Sequence, residues 1–455
     1  MKHAVLICFY IWMGASVSVQ AAHPFHCTDP EVYPADGIKR RNGLPNVTKK
    51  LAEGRPVTVA YLGGSITYAN GWRVHTDRML REKFPASEIK MVNAGVPGTS
   101  SALGVARLKR DVLRHNPDLV FVEFAVNGGG IGTGAGDKWL DYSRASMEAI
   151  VRQISAHNPQ TDICFVYTCS TYYRKWFDQD QLPPVAIEHE AVADHYGIPS
   201  VILAADILKQ IKGGSLVWQE NTPLTAGSDG LERNSRGQIV FTKDGTHPVD
   251  SNAVLYAAKV MEAFEKMPWQ QNLNRELPAQ LLVEGNRWLN ATMADLSVAD
   301  QQGFVKIDNP VSGADGNIPG DYNGTGTAFF NTITHFPQVY KGSVGSRITI
   351  RFDGSNIGFY GLTGKFSCKV RVSIDGQDSG PVYLFARQNN HCTRHSFFFL
   401  PDTLSSGPHT ATFTVEAMTP DEKFEFSGGK IEKNDPGYLL NEVYFGTILV
   451  CGKIK

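Results

Sequence analysis

From about residue 55 to 268, short apolar runs alternate with amphipathic stretches. The runs VTVAYL (57–62), IKMVNA (89–94), DLVFVEFAV (118–126), DICFVYT (162–168) and IPSVIL (198–203) read as strands. The segments 72–84, 101–115, 138–157, 184–195 and 250–267 read as helices. Runs this apolar predict strands buried on both faces, and the β-α-β-α alternation predicts a parallel sheet covered by helices. His115-Asn116-Pro117 and His157-Asn158-Pro159 end two of the helices just ahead of the next strand. The pattern predicts a three-layer α/β domain.

The pattern changes from about residue 300. SRITIRFDG, IGFYGL, CKVRVSIDG, HSFFFL, HTATFTVEA and EVYFGTILV are short β-branched and aromatic runs separated by turns. They predict a C-terminal β-sandwich, jelly-roll-like, over 301–455. Residues 269–300 read as a linker of helical character, and 22–54 as an N-terminal extension ahead of the 55–268 domain. Core packing accounts for most of the sandwich aromatics, among them Phe329, Phe330, Tyr340, Tyr360 and the run 397–399.

With 455 residues there is chain enough for several cores, and 42% hydrophobic with 20% charged residues describes an ordinary globular protein. A net charge of −1 gives no basic surplus for phosphate backbones, so no nucleic acid partner is expected. Lys2 and His3 precede the apolar run at 4–13, and Val19-Gln20-Ala21 offers a small-residue cleavage site. Residues 1–21 therefore read as a signal peptide, with export to the periplasm or beyond and no stable membrane insertion. Six cysteines follow Cys8: Cys27, Cys164, Cys169, Cys368, Cys392 and Cys451. Cys368 with Cys392 is one plausible pair inside the second domain, and Cys164 fits a free buried thiol. There is no CxxC, and His189-Glu190 with Asp194-His195 is not HExxH; it reads as a solvated helix face, with no metal or cofactor expected.

Chemistry in open parallel sheets collects at the carboxyl ends of the strands. The first strand runs into Gly63-Gly64-Ser65-Ile66-Thr67, a tight turn that leaves a serine hydroxyl at the strand tip. It is not GxSxG, which excludes the α/β-hydrolase elbow. The second strand ends in Asn93-Ala94-Gly95-Val96-Pro97-Gly98 and the third in Ala125-Val126-Asn127-Gly128. A glycine N–H and an asparagine amide are neutral donors suited to an oxyanion. Asp244-Gly245-Thr246-His247 stands before the last helix, with the Asp placed to hold one imidazole nitrogen and leave the other facing a serine. Each element alone is weak.

Together, Ser65, Gly95, Asn127, Asp244 and His247, in this order at strand ends, resemble the SGNH (GDSL-type) hydrolase family over about 55–268. The resemblance implies a flavodoxin-like α/β/α fold and Ser-His-Asp ester hydrolysis without a metal. It makes Ser65 the nucleophile, His247 the base and Asp244 its orienter, with the N–H groups of Ser65 and Gly95 and the Asn127 amide as the oxyanion hole. Three positions depart from the family pattern: Gly64 replaces the usual Asp, Ala125 the usual Gly and Gly128 the usual Asp. These positions brace loops, so the departures bear on loop geometry.

Other features have weaker claims. The run at 130–135 matches the looser GxGxxG/A fingerprint but follows the third strand without GK[ST], which fits a glycine loop beside Asn127 better than a nucleotide site. Trp72, Tyr172, Tyr173 and Trp218 are candidate substrate contacts, each with packing as the alternative. The stretch 212–243 reads as a long loop able to wall a cleft. Asn46, Asn290 and Asn323 lie in N-x-[ST] sequons. Export and an appended β-sandwich resemble secreted bacterial carbohydrate O-acetyl esterases, so acetylated polysaccharide or oligosaccharide is the expected substrate. The alternatives are a lipid-directed lipase or lysophospholipase and an inactive glycan-binding protein on the same fold.

Overall fold

The structure, a computed structural model, describes residues 31–128, 139–267, 276–310, 336–385, 393–401 and 403–455. The expected leader, Cys27, the glycine run at 130–135, Asn323, Phe329, Phe330 and Cys392 lie outside the described residues. Strands β1 (Ile38–Lys39), β2 (Val57–Gly63), β3 (Ile89–Gly95), β4 (Leu119–Glu123), β5 (Asp162–Tyr167) and β6 (Ser200–Ile202) form one sheet in the order β1-β6-β5-β4-β2-β3. All pairings in it are parallel except that of edge strand β1, which runs antiparallel to β6. The five parallel strands thus have the flavodoxin-like order, whose switch point lies between β2 and β4.

The helices α1 (Pro45–Ala52), α2 (Ser65–Tyr68), α3 (Trp72–Lys83), α4 (Ser101–Asp111), α5 (Trp139–His157), α6 (Arg174–Phe177), α7 (Pro184–Tyr196), α8 (Ala205–Lys212) and α9 (Val254–Lys266) fill the crossovers. α3 packs with α9, while α4, α5 and α7 pack in a row. Strands β4 and β5 are buried along their whole length, which is why their sequences are unbroken apolar runs rather than alternating ones.

Three expectations give way here. The third apolar run does not continue as strand to Val126: β4 stops at Glu123, and Phe124 O accepts the N–H groups of both Asn127 and Gly128 in a turn. An apolar run cannot by itself distinguish a buried strand from a buried turn. His189 and Glu190 are buried, not solvated, because α7 packs on α5 and β5 at once. Glu190 is bound by Arg41, Lys39 and Tyr167, and His189 Nε2 lies 2.8 Å from Ser143 Oγ. Burial pushes the His189 imidazole down to about 3, which keeps it neutral. Finally, 212–243 is not a bare loop. It carries β7 (Leu216–Gln219), β8 (Thr225–Ala226), β9 (Glu232–Arg233) and β10 (Ile239–Thr242) as a small sheet in the order β7-β10-β9-β8.

The C-terminal part is an antiparallel β-sandwich of β11 (Ala291–Ala294), β12 (Asp300–Asp308), β13 (Gln338–Thr363), β14 (Lys369–Ile374), β15 (Gln377–Tyr383), β16 (Arg394–Phe399), β17 (Gly407–Glu416) and β18 (Glu442–Ile454). Asp353-Gly354-Ser355-Asn356, which reads as a turn, is an irregularity within the long strand β13, where its register with β18 shifts. Gly354 is needed there because an added Cβ would lie 2.2 Å from Cys451 O. β13 pairs with β17 before this point and with β16 after it.

The two parts share a core. Trp288, buried, meets Phe399 of β16 edge-on at 4.8 Å and Tyr142 of α5 at 6.0 Å. Cys164, Cys169, Cys368 and Cys451 are buried free thiols, so Cys368 is unpaired. Asn46 is buried and bonded to Asp162, which removes it as a glycan acceptor.

Candidate active site

Ser65 is the first residue of α2, placed there by Gly63 and Gly64 at the end of β2. Neither glycine has room for a side chain. A Cβ on Gly63 would lie 2.4 Å from Thr67 Oγ1, and one on Gly64 2.4 Å from Asn127 Nδ2. The second contact sets the Gly64 backbone directly against the Asn127 amide. Gly128 has φ +57°, a conformation that favours glycine, and faces the Trp139 ring.

Ser65 Oγ lies 2.7 Å from His247 Nε2, and His247 Nδ1 lies 2.6 Å from Asp244 Oδ2. A carboxylate can only accept, so Nδ1 carries the hydrogen and Nε2 presents its lone pair to the serine. Asp244 Oδ1 also accepts the N–H groups of Thr246 (2.9 Å) and His247 (2.8 Å), which lock the turn. Partial burial pushes the Asp244 carboxyl up, but the hydrogen bonds from His247 and Thr246 outweigh it and hold the group well below the usual carboxylate range. Gly245, at φ +85°, passes close to Thr171 and Gln219, and its carbonyl accepts from Thr171 N (2.7 Å) and Trp218 Nε1 (3.2 Å).

Gly95 ends β3, in register with Gly63. Its N–H is held by Asn93 Oδ1 at 3.0 Å, while Asn93 Nδ2 reaches Tyr68 O at 3.2 Å. Asn127 Nδ2 donates one hydrogen to Thr99 O at 2.9 Å, and an amide nitrogen has a second to offer. Ser65, Gly95, Asn127, Asp244 and His247 therefore converge on one edge of the sheet, at the switch point.

The aromatic candidates divide. Trp72 is fully buried against Tyr61 (5.2 Å) and Phe121 (5.8 Å), a core residue with no face for a substrate. Trp218 is also buried and braces the Gly245 turn. Tyr173 is half-buried, its hydroxyl 3.4 Å from Val126 O. Tyr172 is 82% exposed, one residue from the Thr171 bond to the Asp244–His247 turn.

Sequence reading passed over Glu123. It is buried beneath the Gly64–Ser65 turn and accepts from Thr67 Oγ1 (3.0 Å), Thr168 Oγ1 (2.8 Å) and the Gly64 N–H. The signal was a lone charge inside an apolar strand. Burial pushes its carboxyl up to about 7 against the pull of those hydrogen bonds and of nearby His247. An acid raised in the folded state keeps its proton after the unfolded chain has lost it, so stability falls as pH climbs from the ordinary glutamate range toward 7. This contribution reaches about 3 kcal/mol. Glu123→Gln removes it, so the variant's melting temperature should vary less than the parent's between about pH 5 and pH 8. Parallel profiles for the two proteins would refute the assignment.

Residues 61–230 match the GDSL-like lipase/acylhydrolase family. The α/β part of the chain thus carries a GDSL-like domain. Asp244 and His247 lie beyond the matched stretch of the GDSL-like domain. No curated protein matches the sequence. Among solved structures, a two-domain esterase active on acetylated mannans, crystallised with mannopentaose, aligns at TM-score 0.64 and 19% identity over 93% of this chain and 99% of its own. A second structure of an esterase so described aligns at TM-score 0.64 and 18% identity over 93% and 100%. The likeness is one of fold, and it spans the GDSL-like domain together with the β-sandwich.

Proposed function

We propose that this protein is an exported serine esterase that removes O-acetyl groups from polysaccharide or oligosaccharide. The observation that carries the reading is the relay from Asp244 through His247 to Ser65, with donors from Gly95 and Asn127 beside it. Ser65 Oγ attacks the acetyl carbonyl carbon as His247 Nε2 takes its proton. The N–H groups of Ser65 and Gly95 and the Asn127 amide then receive the charge on the former carbonyl oxygen, Gly95 exchanging Asn93 Oδ1 for it. His247 returns the proton to the departing sugar oxygen, leaving acetyl-Ser65. Water, deprotonated by the same nitrogen, releases acetate and restores the serine.

Three things support the substrate class. The GDSL-like domain is an acylhydrolase domain, and the two-domain architecture is that of an esterase active on acetylated mannans. Tyr172 adds an exposed aromatic face on the segment that holds the Asp244–His247 turn. Export rests on the charged start, apolar run and cleavage-like residues within 1–21. Among the described residues no helix is long and apolar enough to cross a membrane.

The test is acetate release from acetylated mannan, xylan and pectin, beside a p-nitrophenyl acyl series, by the parent and Ser65→Ala. Ser65-dependent acetate release from a polysaccharide supports the reading. A preference for long acyl chains moves it to lipids. No Ser65-dependent release from any of them overturns it. If Tyr172 stacks on a sugar ring, Tyr172→Ala should raise KM on the polysaccharide about fivefold, the size of a contact worth about 1 kcal/mol. Rates on p-nitrophenyl acetate should stay unchanged. An equal loss on both substrates would assign the tyrosine to loop packing.

A further inference from the structure

The loop at 96–99 follows Gly95 and precedes α4. The α/β domain anchors it at two places: Val96 N donates to Gly63 O at 3.0 Å, and Asn127 Nδ2 donates to Thr99 O at 2.9 Å. Thr99 Oγ1 closes the turn on Val96 O at 2.7 Å. A third anchor comes from the β-sandwich. His395 in β16 is buried, and its Nε2 lies 2.6 Å from Pro97 O. Its Nδ1 lies 2.8 Å from the hydroxyl of Tyr360 in β13, also buried.

The contact with Pro97 fixes the proton on Nε2. A carbonyl oxygen only accepts, so Nε2 carries a hydrogen and donates it to Pro97 O, while Nδ1 and the Tyr360 hydroxyl share a hydrogen bond. The His395 donor is thus directed at the loop, with Tyr360 behind it. The Tyr360 ring packs 4.6 Å from that of Phe336, which in turn presses on Gly446 so closely that no Cβ would fit. Beside this chain the guanidinium of Arg394 covers Gly98, a residue at φ +65°.

We infer that His395 is a positioning residue for the ester hydrolysis: through Pro97 O it sets the loop that aligns the Gly95 N–H and, by way of Thr99, the Asn127 amide. The inference rests on the reading of Gly95 and Asn127 as oxyanion donors. It gives the β-sandwich a part in turnover that needs no contact with substrate. Donors must lie within a few tenths of an ångström of the developing oxyanion, and a displacement near 1 Å at a reacting centre costs about 100-fold in rate.

Two polar replacements separate position from mere polarity. The amide nitrogen of Gln reaches the place of Nε2 and can still donate to Pro97 O, whereas Asn reaches only the place of Nδ1. His395→Asn and His395→Leu should each lower kcat about 10- to 100-fold while KM changes less than about threefold. His395→Gln should recover most of the loss. The rate at which a p-nitrophenyl phosphonate blocks Ser65 should follow the same order, since its charged oxygen uses the same donors. Thermal unfolding of each variant checks that it is folded. Parental kcat in the folded Asn and Leu variants, a loss confined to KM, or a folded Gln variant as slow as Asn overturns the inference. Ser65→Ala, run alongside, separates the two readings: if it retains turnover the hydrolase reading fails and this inference with it. If it is inactive while the three His395 variants behave alike, this inference alone fails.

Discussion

Ser65→Ala should lower kcat by about a millionfold, the size of loss seen when a triad serine is removed from an enzyme of this mechanism. The physical reason is that no other group in the relay can form the acyl bond. His247 Nε2 would face a methyl group, and catalysis would fall to what the donors and binding supply. The fold should survive. Ser65 Oγ is half-buried, and its loss removes a hydrogen bond worth about 1 kcal/mol, so the melting temperature should shift by only a few degrees. Initial rates of acetate release and a melting curve on the same preparation make the check. Activity within tenfold of the parent would reject Ser65 as the nucleophile.

Asp244→Asn should cost about 10⁴-fold in kcat with little change in structure. Asn can keep one oxygen toward the N–H groups of Thr246 and His247, so the turn holds. Its NH2 group then meets His247 Nδ1, which must become the acceptor. The hydrogen moves to Nε2, and the imidazole presents a donor to Ser65 where a lone pair is needed. Asp244 also loses its charge, which would have stabilised the imidazolium. Steady-state kinetics with an activated ester measures the loss. A decrease below about tenfold would mean that Asp244 only shapes the loop.

What could be read from the sequence depended on how local each signal was. Ser65, Gly95 and Asn127 stood at the ends of apolar runs among glycines, where sheet topology alone brings them to one edge. Asp244 and His247 are three residues apart, so their bond is nearly a property of the turn. Glu123 was hidden because the run around it is otherwise apolar, and Trp72 because core and platform aromatics look alike in sequence. The short strands in 212–243 are too brief to show a period. His395 lies 298 positions from the proline it touches, and only the folded interface between sheet and sandwich brings the two together. β13 was broken at Asp353-Gly354 because a shift of register and a turn call for the same residues.

The buried thiols form two natural pairs of probes. Cys164 and Cys169 lie in the α/β half, and Cys368 and Cys451 in the sandwich. Burial pushes the latter two up to about 12 and the former two higher, so none ionises while the chain is closed. An alkylating reagent can reach them only when the structure around them opens, at a rate set by that opening. Labelling followed residue by residue would time the two halves separately. It would also show whether the sandwich ever lets go while the sheet stays shut.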